Sequence, residues 1–429
     1  VDKLTRREFL KVTGVVGASS LLGVNVFSAQ APEVTLLTWS HFVPGYNEEL
    51  ESQVTAWAES KGVKARVDFL SLPDITTKLA SEAESKTGHD IVLVWNFSSA
   101  LHKENLIELD DVAGELGNQY GPWMEGARFL TFLDGHWKAI PWYYQSLLGN
   151  INVEYWQQIG LSADDAAKLT WDGLLEKAKE LHEIGHPVGL VVAETFDANG
   201  SLYPLLWSFG ARAVDETGNV TIKSPETEAA LEYAKKLFEY MPSEVLGWDD
   251  GGNNRFMLSG EGSWTPNPPS IWAVAKIKDL PIKDSLDHVP MPAGPAGQFR
   301  VGDFNNLGIW KFSPNIDLAK DLIVFLLQKE NFDKQISASW GYNQPVLTAF
   351  KEHPVYRTER VLRYYEPPVE EVRPSGWPGP PNPATQIAYN LLIIPLMFVK
   401  VVTRQQSISE AIDWAETQLT RIYSSYRRG

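Results

Sequence analysis

The motif with the most definite chemistry is His182-Glu183-Ile184-Gly185-His186. Two imidazoles four residues apart on a helix share a face and can hold zinc, with the glutamate between them as general base, as in a secreted metalloprotease. Gly189 falls where longer motifs of that kind carry a glycine. Gly185 and Pro187 bracket the second histidine, however. Glycine ends helices and proline cannot continue them, so a helix opening at Trp171 should stop before both rings can face one ion. The third-ligand position is Val192. The stretch is therefore read as a helix end followed by a strand start. Asp249-Asp250-Gly251-Gly252-Asn253-Asn254 lacks the alternating acidic spacing and terminal glutamate of a calcium loop and reads as a polar surface turn. Carboxylate pairs for glycoside hydrolysis need a fixed separation that sequence does not reveal. No catalytic group and no cofactor is predicted.

The other chemically informative residues are aromatic. There are 16 Trp, 15 Tyr and 18 Phe in 429 residues, while the hydrophobic fraction of 44% is ordinary, so the excess lies in indoles. Tryptophan is large, seldom wholly buried and carries one N–H, so indoles must either fill cores or line a cleft. Their place in the chain discriminates. Val34 to Thr38 is a short β-rich run, Asn47 to Glu59 is helical in pattern, Val63 to Leu70 alternates, Asp74 to Lys86 is helical again, and Asp90 to Val94 is a continuous apolar strand. Strand, helix, strand, helix, strand predicts a parallel sheet, and ligands of such sheets sit beyond the carboxyl ends of the strands. Those ends are Trp39-Ser40-His41-Phe42 and Trp95-Asn96-Phe97.

The N-terminal Thr5-Arg6-Arg7-Glu8-Phe9-Leu10-Lys11, followed by an apolar stretch to Phe27 and small residues to Ala31, reads as a twin-arginine export signal covering residues 1–31. A mostly apolar stretch of sixteen residues with three glycines is too short for a permanent span. Removing the segment takes away four cations and two anions, moving the formal charge from −16 to −18. A surface of that sign repels phosphate backbones and anionic lipid, so no nucleic-acid partner and no membrane insertion are expected. The chain has no cysteine, so an exported form must rest on packing alone. The roughly 400 residues left after removal of the signal exceed what one core usually serves, and two lobes are expected. Ile387 to Val402 is apolar but contains Asn390, Pro395 and Lys400, and reads as a buried helix pair.

From Gly135 the chain runs Gly-His-Trp-Lys-Ala-Ile-Pro-Trp-Tyr-Tyr, then Tyr155-Trp156, Gly160-Leu161 and Thr170-Trp171-Asp172-Gly173-Leu174-Leu175. Further pieces follow in order: Phe209-Gly210-Ala211, Val220 to Glu226, Phe256 to Gly262, Met291 to Pro295, Phe312 to Asn315, Gly341 to Pro345 and Ser407 to Ile412. This ordered series over residues 34 to 425 resembles the family 1 extracellular solute-binding proteins of ABC importers, the group of maltodextrin- and oligosaccharide-binding proteins. The resemblance implies an α/β, two-lobe periplasmic-binding-protein fold (type II), hinged on crossover strands and closing on a ligand in the cleft. The N-terminal lobe would comprise 32–146 and 302–346, and the C-terminal lobe 147–301 and 347–429. Crossings would lie near Tyr144 to Leu148, Gly302 to Leu307 and Asn343 to Leu347, with Val301-Gly302-Asp303 as pivot.

Carried over by position, the resemblance implies ligand contacts from Trp39, Ser40 and His41, from Trp95 and Asn96, and from Tyr143, Tyr144 and Gln145 at the first crossing. The second lobe would add Tyr203, Trp264, Asn267 and Trp272, with Phe304, Asn305 and Trp377 beside the return strand. The family commonly places a tryptophan a few residues after the turn of the Trp264 segment; here that stretch is Asn267-Pro268-Pro269-Ser270-Ile271-Trp272, which leaves Trp264 and Trp272 as alternatives. Indole and phenol faces suit the C–H faces of a pyranose, and amides and carboxylates suit its hydroxyl rim. The implied ligand is a carbohydrate, with an oligosaccharide as the expectation, and the implied partners are a membrane permease and its ATPase, met by a monomer. A polyamine or other small solute is the alternative, and Arg300 or Lys138 could serve an anionic sugar.

Overall fold

A computed structural model describes residues 32–366 and 371–426. The export signal read in residues 1–31 lies outside the described residues. The alternating segments that follow form a βαβαβ unit: β1 (Glu33–Trp39), α1 (Pro44–Lys61), β2 (Lys64–Leu70), α2 (Leu72–Ser85) and β3 (Ile91–Trp95). Gly62, at φ 67°, ends α1 and donates to the carbonyls of Ala58 and Glu59. Ser71 caps α2 by accepting from the Asp74 N–H. Both β2 and β3 run parallel to β1, with Leu36 opposite Val67 on one side and Ile91 on the other. The apolar Ile91-Val92-Leu93-Val94 run is wholly buried, as a strand covered on both faces must be.

The seven-stranded sheet is completed by β4 (Ile140–Ser146), β8 (Arg300–Ile309) and β9 (Gln344–Pro345), in the order β9-β4-β8-β3-β1-β2, with Val372–Arg373 pairing on β8. A second, antiparallel sheet has β5 (Leu148–Asn152) between β6 (Trp264–Asn267) and β7 (Leu286–Val289). The chain passes from the first sheet to the second at Leu147 and comes back to the first at β8. Seven tryptophans (Trp57, Trp142, Trp156, Trp171, Trp207, Trp264 and Trp310) are among the largest fully buried side chains, so much of the indole excess fills cores.

The histidine motif lies at the end of α3 (Trp171–Glu183). Gly185 takes φ 84° and breaks the helix. His182 then meets the Tyr240 carbonyl, while His186 stacks flat on Tyr155 with centroids 3.5 Å apart, so the two rings do not share a face. The apolar C-terminal stretch forms two helices, Pro383–Asn390 and Ile393–Val402, broken at Leu392 with φ 54° and largely buried within the fold.

One buried polar cluster pins the first lobe. His89 sits between Glu82 (2.6 Å) and Asp68 (2.7 Å), and the Trp310 indole donates to Glu82 at 2.9 Å. Burial alone would lower the imidazole pKa, but the two carboxylates outweigh it and raise it. Burial would raise Glu82, and its bonds from His89 and Trp310 outweigh that and hold it below the usual range.

Candidate functional site

Trp39 and Trp95, at the carboxyl ends of β1 and β3, reach one cavity between the lobes. The first lobe also contributes Phe42 and Leu72, the crossover strands contribute Gln145, Leu147 and Asp303, and Tyr342 precedes β9. Across from them stand Phe196, Asp197 and Gly200, from α4 (Phe196–Phe209), with Asp250, Asn267 and Pro268. Tyr389, from the helix Pro383–Asn390, completes the wall. The cavity is about 30 Å³, room for a water or two, whereas small-molecule pockets run to ~300 Å³ and more. A ligand larger than that can enter only if the walls part.

Local chemistry fixes each wall. Trp39 donates its indole N–H to the Tyr143 hydroxyl at 2.8 Å, which sets its ring orientation. Trp95 packs edge-on against Tyr389 (5.3 Å) and lies 6.0 Å from Phe196; its N–H is buried with no hydrogen-bond partner. Asn96 follows at φ 48°, a left-handed conformation that asparagine tolerates better than most residues. Its amide donates to Asp303 at 2.9 Å and its oxygen accepts from the Phe304 N–H at 2.8 Å, tying the end of β3 to β8. Gln145 accepts from Asn305 at 2.8 Å. Asn267 is held by Asn254 and Ser270, both at 2.8 Å.

Three carboxylates, Asp197, Asp250 and Asp303, share the cavity wall. Burial, then the charges of Asp250 and Asp303, push the Asp197 carboxyl well above the usual range. Burial likewise lifts Asp303 to about 6, against the opposing bond from Asn96.

Of the residues singled out in the sequence, Trp39, Trp95, Gln145 and Asn267 line this cavity. Others support the wall: Tyr143 holds Trp39, Asn96 holds Asp303 and Asn305 holds Gln145. His41 is buried on Asn343 at 2.9 Å and accepts from the Val43 N–H, and burial lowers its pKa to about 4. Ser40 is exposed, its N–H bound to the Leu70 carbonyl. Tyr144 stacks on Phe304 at 5.4 Å, and Phe304 and Trp377 together line a separate groove of about 280 Å³. Tyr203 packs on Trp207, and Trp264 lies in the second-lobe core, edge-on to Trp171 at 6.2 Å. Trp272, on α5 (Ser270–Ile277), faces Trp340 at 6.1 Å, which follows α6 (Lys329–Ala338). The Lys276 ammonium lies 4.9 Å from the Trp272 ring and 4.5 Å from that of Trp340, and pairs with Glu359 at 2.6 Å. Arg300 is buried on Glu371 and Lys138 pairs with Glu108, so neither cation reaches the cavity.

Sequence reasoning missed Phe42, Phe196, Tyr342, Tyr389 and all three aspartates. Asp250 belongs to the stretch read as a surface turn. It faces inward because its carboxylate caps the start of α4, accepting from the Thr195 hydroxyl and, at 3.1 Å, from the Asp197 N–H. The usable signal was Asp303, inside the segment already marked as a pivot.

The structure is similar to maltose-bound MalE3 of T. maritima, with TM-score 0.79, 22% identity, and coverage of 91% of this chain and 99% of that one. It is similar to the GacH receptor of Streptomyces glaucescens, solved unliganded and with acarbose: TM-score 0.77, 20% identity, covering 92% and 99%. A sugar transporter from Arthrobacter chlorophenolicus with bound laminaribiose gives TM-score 0.78 and 15% identity, covering 91% and 99%. At such identities these likenesses show the two-lobe fold. No curated protein matches the chain. Residues 52–360 match the bacterial extracellular solute-binding proteins, and the chain belongs to that family.

Proposed function

We propose that this solute-binding protein is the receptor of an ABC importer, capturing a carbohydrate between its lobes and delivering it to a membrane permease driven by an ATPase. The observation that carries the reading is the pairing of Trp39 and Trp95 on one lobe with the polar Asn267 and Asp197 on the other, around a single cavity. Aromatic faces on one side and fixed hydrogen-bonding groups on the other match the two kinds of surface that a pyranose presents. The structural neighbours solved with maltose, acarbose and laminaribiose support the same class. In this reading export follows the twin-arginine signal, the protein acts as a monomer outside the cytoplasm, and hydrolysis belongs to the importer. The lobes divide as 32–146 with 302–346 and 147–301 with 347–429. Each good ring stack adds about 0.5–1.5 kcal/mol beyond burial, so two or three with several hydrogen bonds reach the ~8 kcal/mol of a micromolar complex.

Calorimetric titration of the purified chain with mono- and oligosaccharides, amino acids and polyamines tests the proposal. Micromolar binding of at least one saccharide is expected. Binding of amino acids alone, with no saccharide response, would refute it.

A further inference from the structure

Asp197, Asp250 and Asp303 are half-satisfied in the same way. The Asn253 amide donates to Oδ2 of Asp197 at 2.7 Å, Thr195 and the Asp197 N–H donate to Oδ1 of Asp250, and Asn96 donates to Oδ1 of Asp303. The second oxygen of each carboxylate takes no hydrogen bond from a described residue, and all three side chains line the one cavity. No lysine, arginine or histidine lines it. The nearby cations are committed elsewhere, Arg255 to Asp249 at 2.8 Å and Arg300 to Glu371 at 3.1 Å. Carboxylates gathered in a poorly hydrated site without a counter-charge are costly, and a cationic ligand removes that cost.

Two further observations decide what kind of cation fits. A metal ion would need several of these oxygens within a few ångströms of one another. Among the described residues, the group of three or more that meets such spacing is Glu108, Asp110 and His136, on the exposed surface and away from the cavity. The cleft carboxylates are set wider, so that an organic ammonium can donate to one or two of them and feel the rest through a weakly screened interior. The Trp95 indole N–H is buried at the same cavity with no acceptor, although its side chain is only 5% exposed. A polyamine offers donors and methylenes and would leave that N–H unpaired. A hydroxylated ring offers an oxygen for it.

Resting on the saccharide reading above, we propose that the ligand is an amino sugar or an amino-bearing oligosaccharide, its ammonium group held by Asp197, Asp250 and Asp303 and a hydroxyl or ring oxygen accepting from Trp95. Tyr389 and Phe196, packed at 5.6 Å from each other, supply aromatic walls that favour a cation beside them. The raised pKa of Asp197 fits this setting: burial, and then the charges of Asp250 and Asp303, hold the proton on where no counter-ion faces it.

The test is calorimetry on the whole chain at neutral pH with four probes: cellobiose, fully deacetylated chitobiose, N,N′-diacetylchitobiose and spermidine. The deacetylated amino disaccharide is expected to bind tenfold to a hundredfold more tightly than either uncharged disaccharide, as one charge-assisted hydrogen bond would give. Asp303→Asn and Asp197→Asn should each reduce that ratio at least severalfold. The comparison among probes on the native chain stands even where a variant fails to fold. Equal or tighter binding of the uncharged disaccharides overturns the ammonium assignment and leaves the saccharide reading intact. Binding of spermidine with no response to any disaccharide overturns the saccharide reading as well. Failure of the amino disaccharide to bind at millimolar concentration also overturns the assignment.

Discussion

Replacing Trp95 by Phe should separate what this residue does for the fold from what it does for the ligand. In the free protein the ring packs on Tyr389 and Phe196, and its N–H is buried without a partner. A phenyl ring keeps the aromatic contacts but leaves a small void, costing on the order of 1 kcal/mol. It also removes an unsatisfied donor, whose burial costs about 1–3 kcal/mol. The two terms oppose each other, so the stability of the unliganded variant should lie within about 1 kcal/mol of the parent, or slightly above it. Affinity should move otherwise, because the N–H that lacked a partner is the one a ligand oxygen would use. Losing that bond costs about 0.5–1.5 kcal/mol, a twofold to tenfold rise in Kd. Urea denaturation of the free protein measures the first quantity, and calorimetry with the tightest saccharide of the panel measures the second. A stability loss above 2 kcal/mol with unchanged affinity would show that the indole N–H serves the fold by a route not recognised here, and the reasoning would fail.

Other perturbations follow from the hinge and the buried polar groups. His89→Gln should destabilise the first lobe by about 2–3 kcal/mol near pH 5 to 6, less than a fully buried pair because Asp68 is partly exposed and Glu82 keeps the Trp310 bond. The imidazole pKa is raised by folding, so its contribution is present at low pH and fades as pH climbs through the folded value. The gap between parent and variant in thermal melts should therefore narrow towards pH 9, and a constant gap would contradict this account. Asn96→Ala should cost about 2–4 kcal/mol, combining a left-handed backbone with two lost hydrogen bonds, whereas Asn96→Gly should melt higher than the alanine variant because glycine accepts φ 48°. Lys276→Ala removes an ion pair to Glu359 and ring contacts to Trp272 and Trp340, worth about 1–2 kcal/mol together; if the Trp340 contact helps hold the cleft shut, its loss should enlarge the radius of gyration of the unliganded protein in small-angle scattering.

The βαβαβ unit was legible because its strands and helices differ in period and its apolar runs are short, so that Val34 to Thr38 and Asp90 to Val94 could be separated from the helices between them. The strand-end rule then placed Trp39 and Trp95, and both reach the cavity. Residues carried over by resemblance fared differently according to what surrounds them. Trp264 sits where Gly149 leaves room for its ring, since a Cβ at that glycine would lie 2.5 Å from the indole nitrogen, and this close fit belongs to tertiary packing that no local pattern reports. Asp250 read as a surface turn because a run of Asp, Gly and Asn has that composition wherever it occurs. Its inward turn depends on the start of α4, more than fifty residues earlier in the chain. Tyr389 lines the site from an apolar stretch whose composition signals only burial.

The ammonium of Lys276 lies against the indoles of Trp272 and Trp340, neither of which lines the cavity, so a change there would act on opening and closing and not on recognition. Any contact that favours the shut form does so with and without ligand. While the empty protein spends most of its time open, strengthening that contact lowers the free energy of the liganded state alone and affinity rises. Once the empty protein is mostly shut, both sides of the binding equilibrium gain equally and affinity stops responding. Entry does not stop responding, because ligand passes only through the open fraction: a tenfold excess of shut protein slows association by about tenfold at an unchanged dissociation constant. Release slows by the same factor, so in that regime a contact such as that of Lys276 would set residence time without ever meeting the solute.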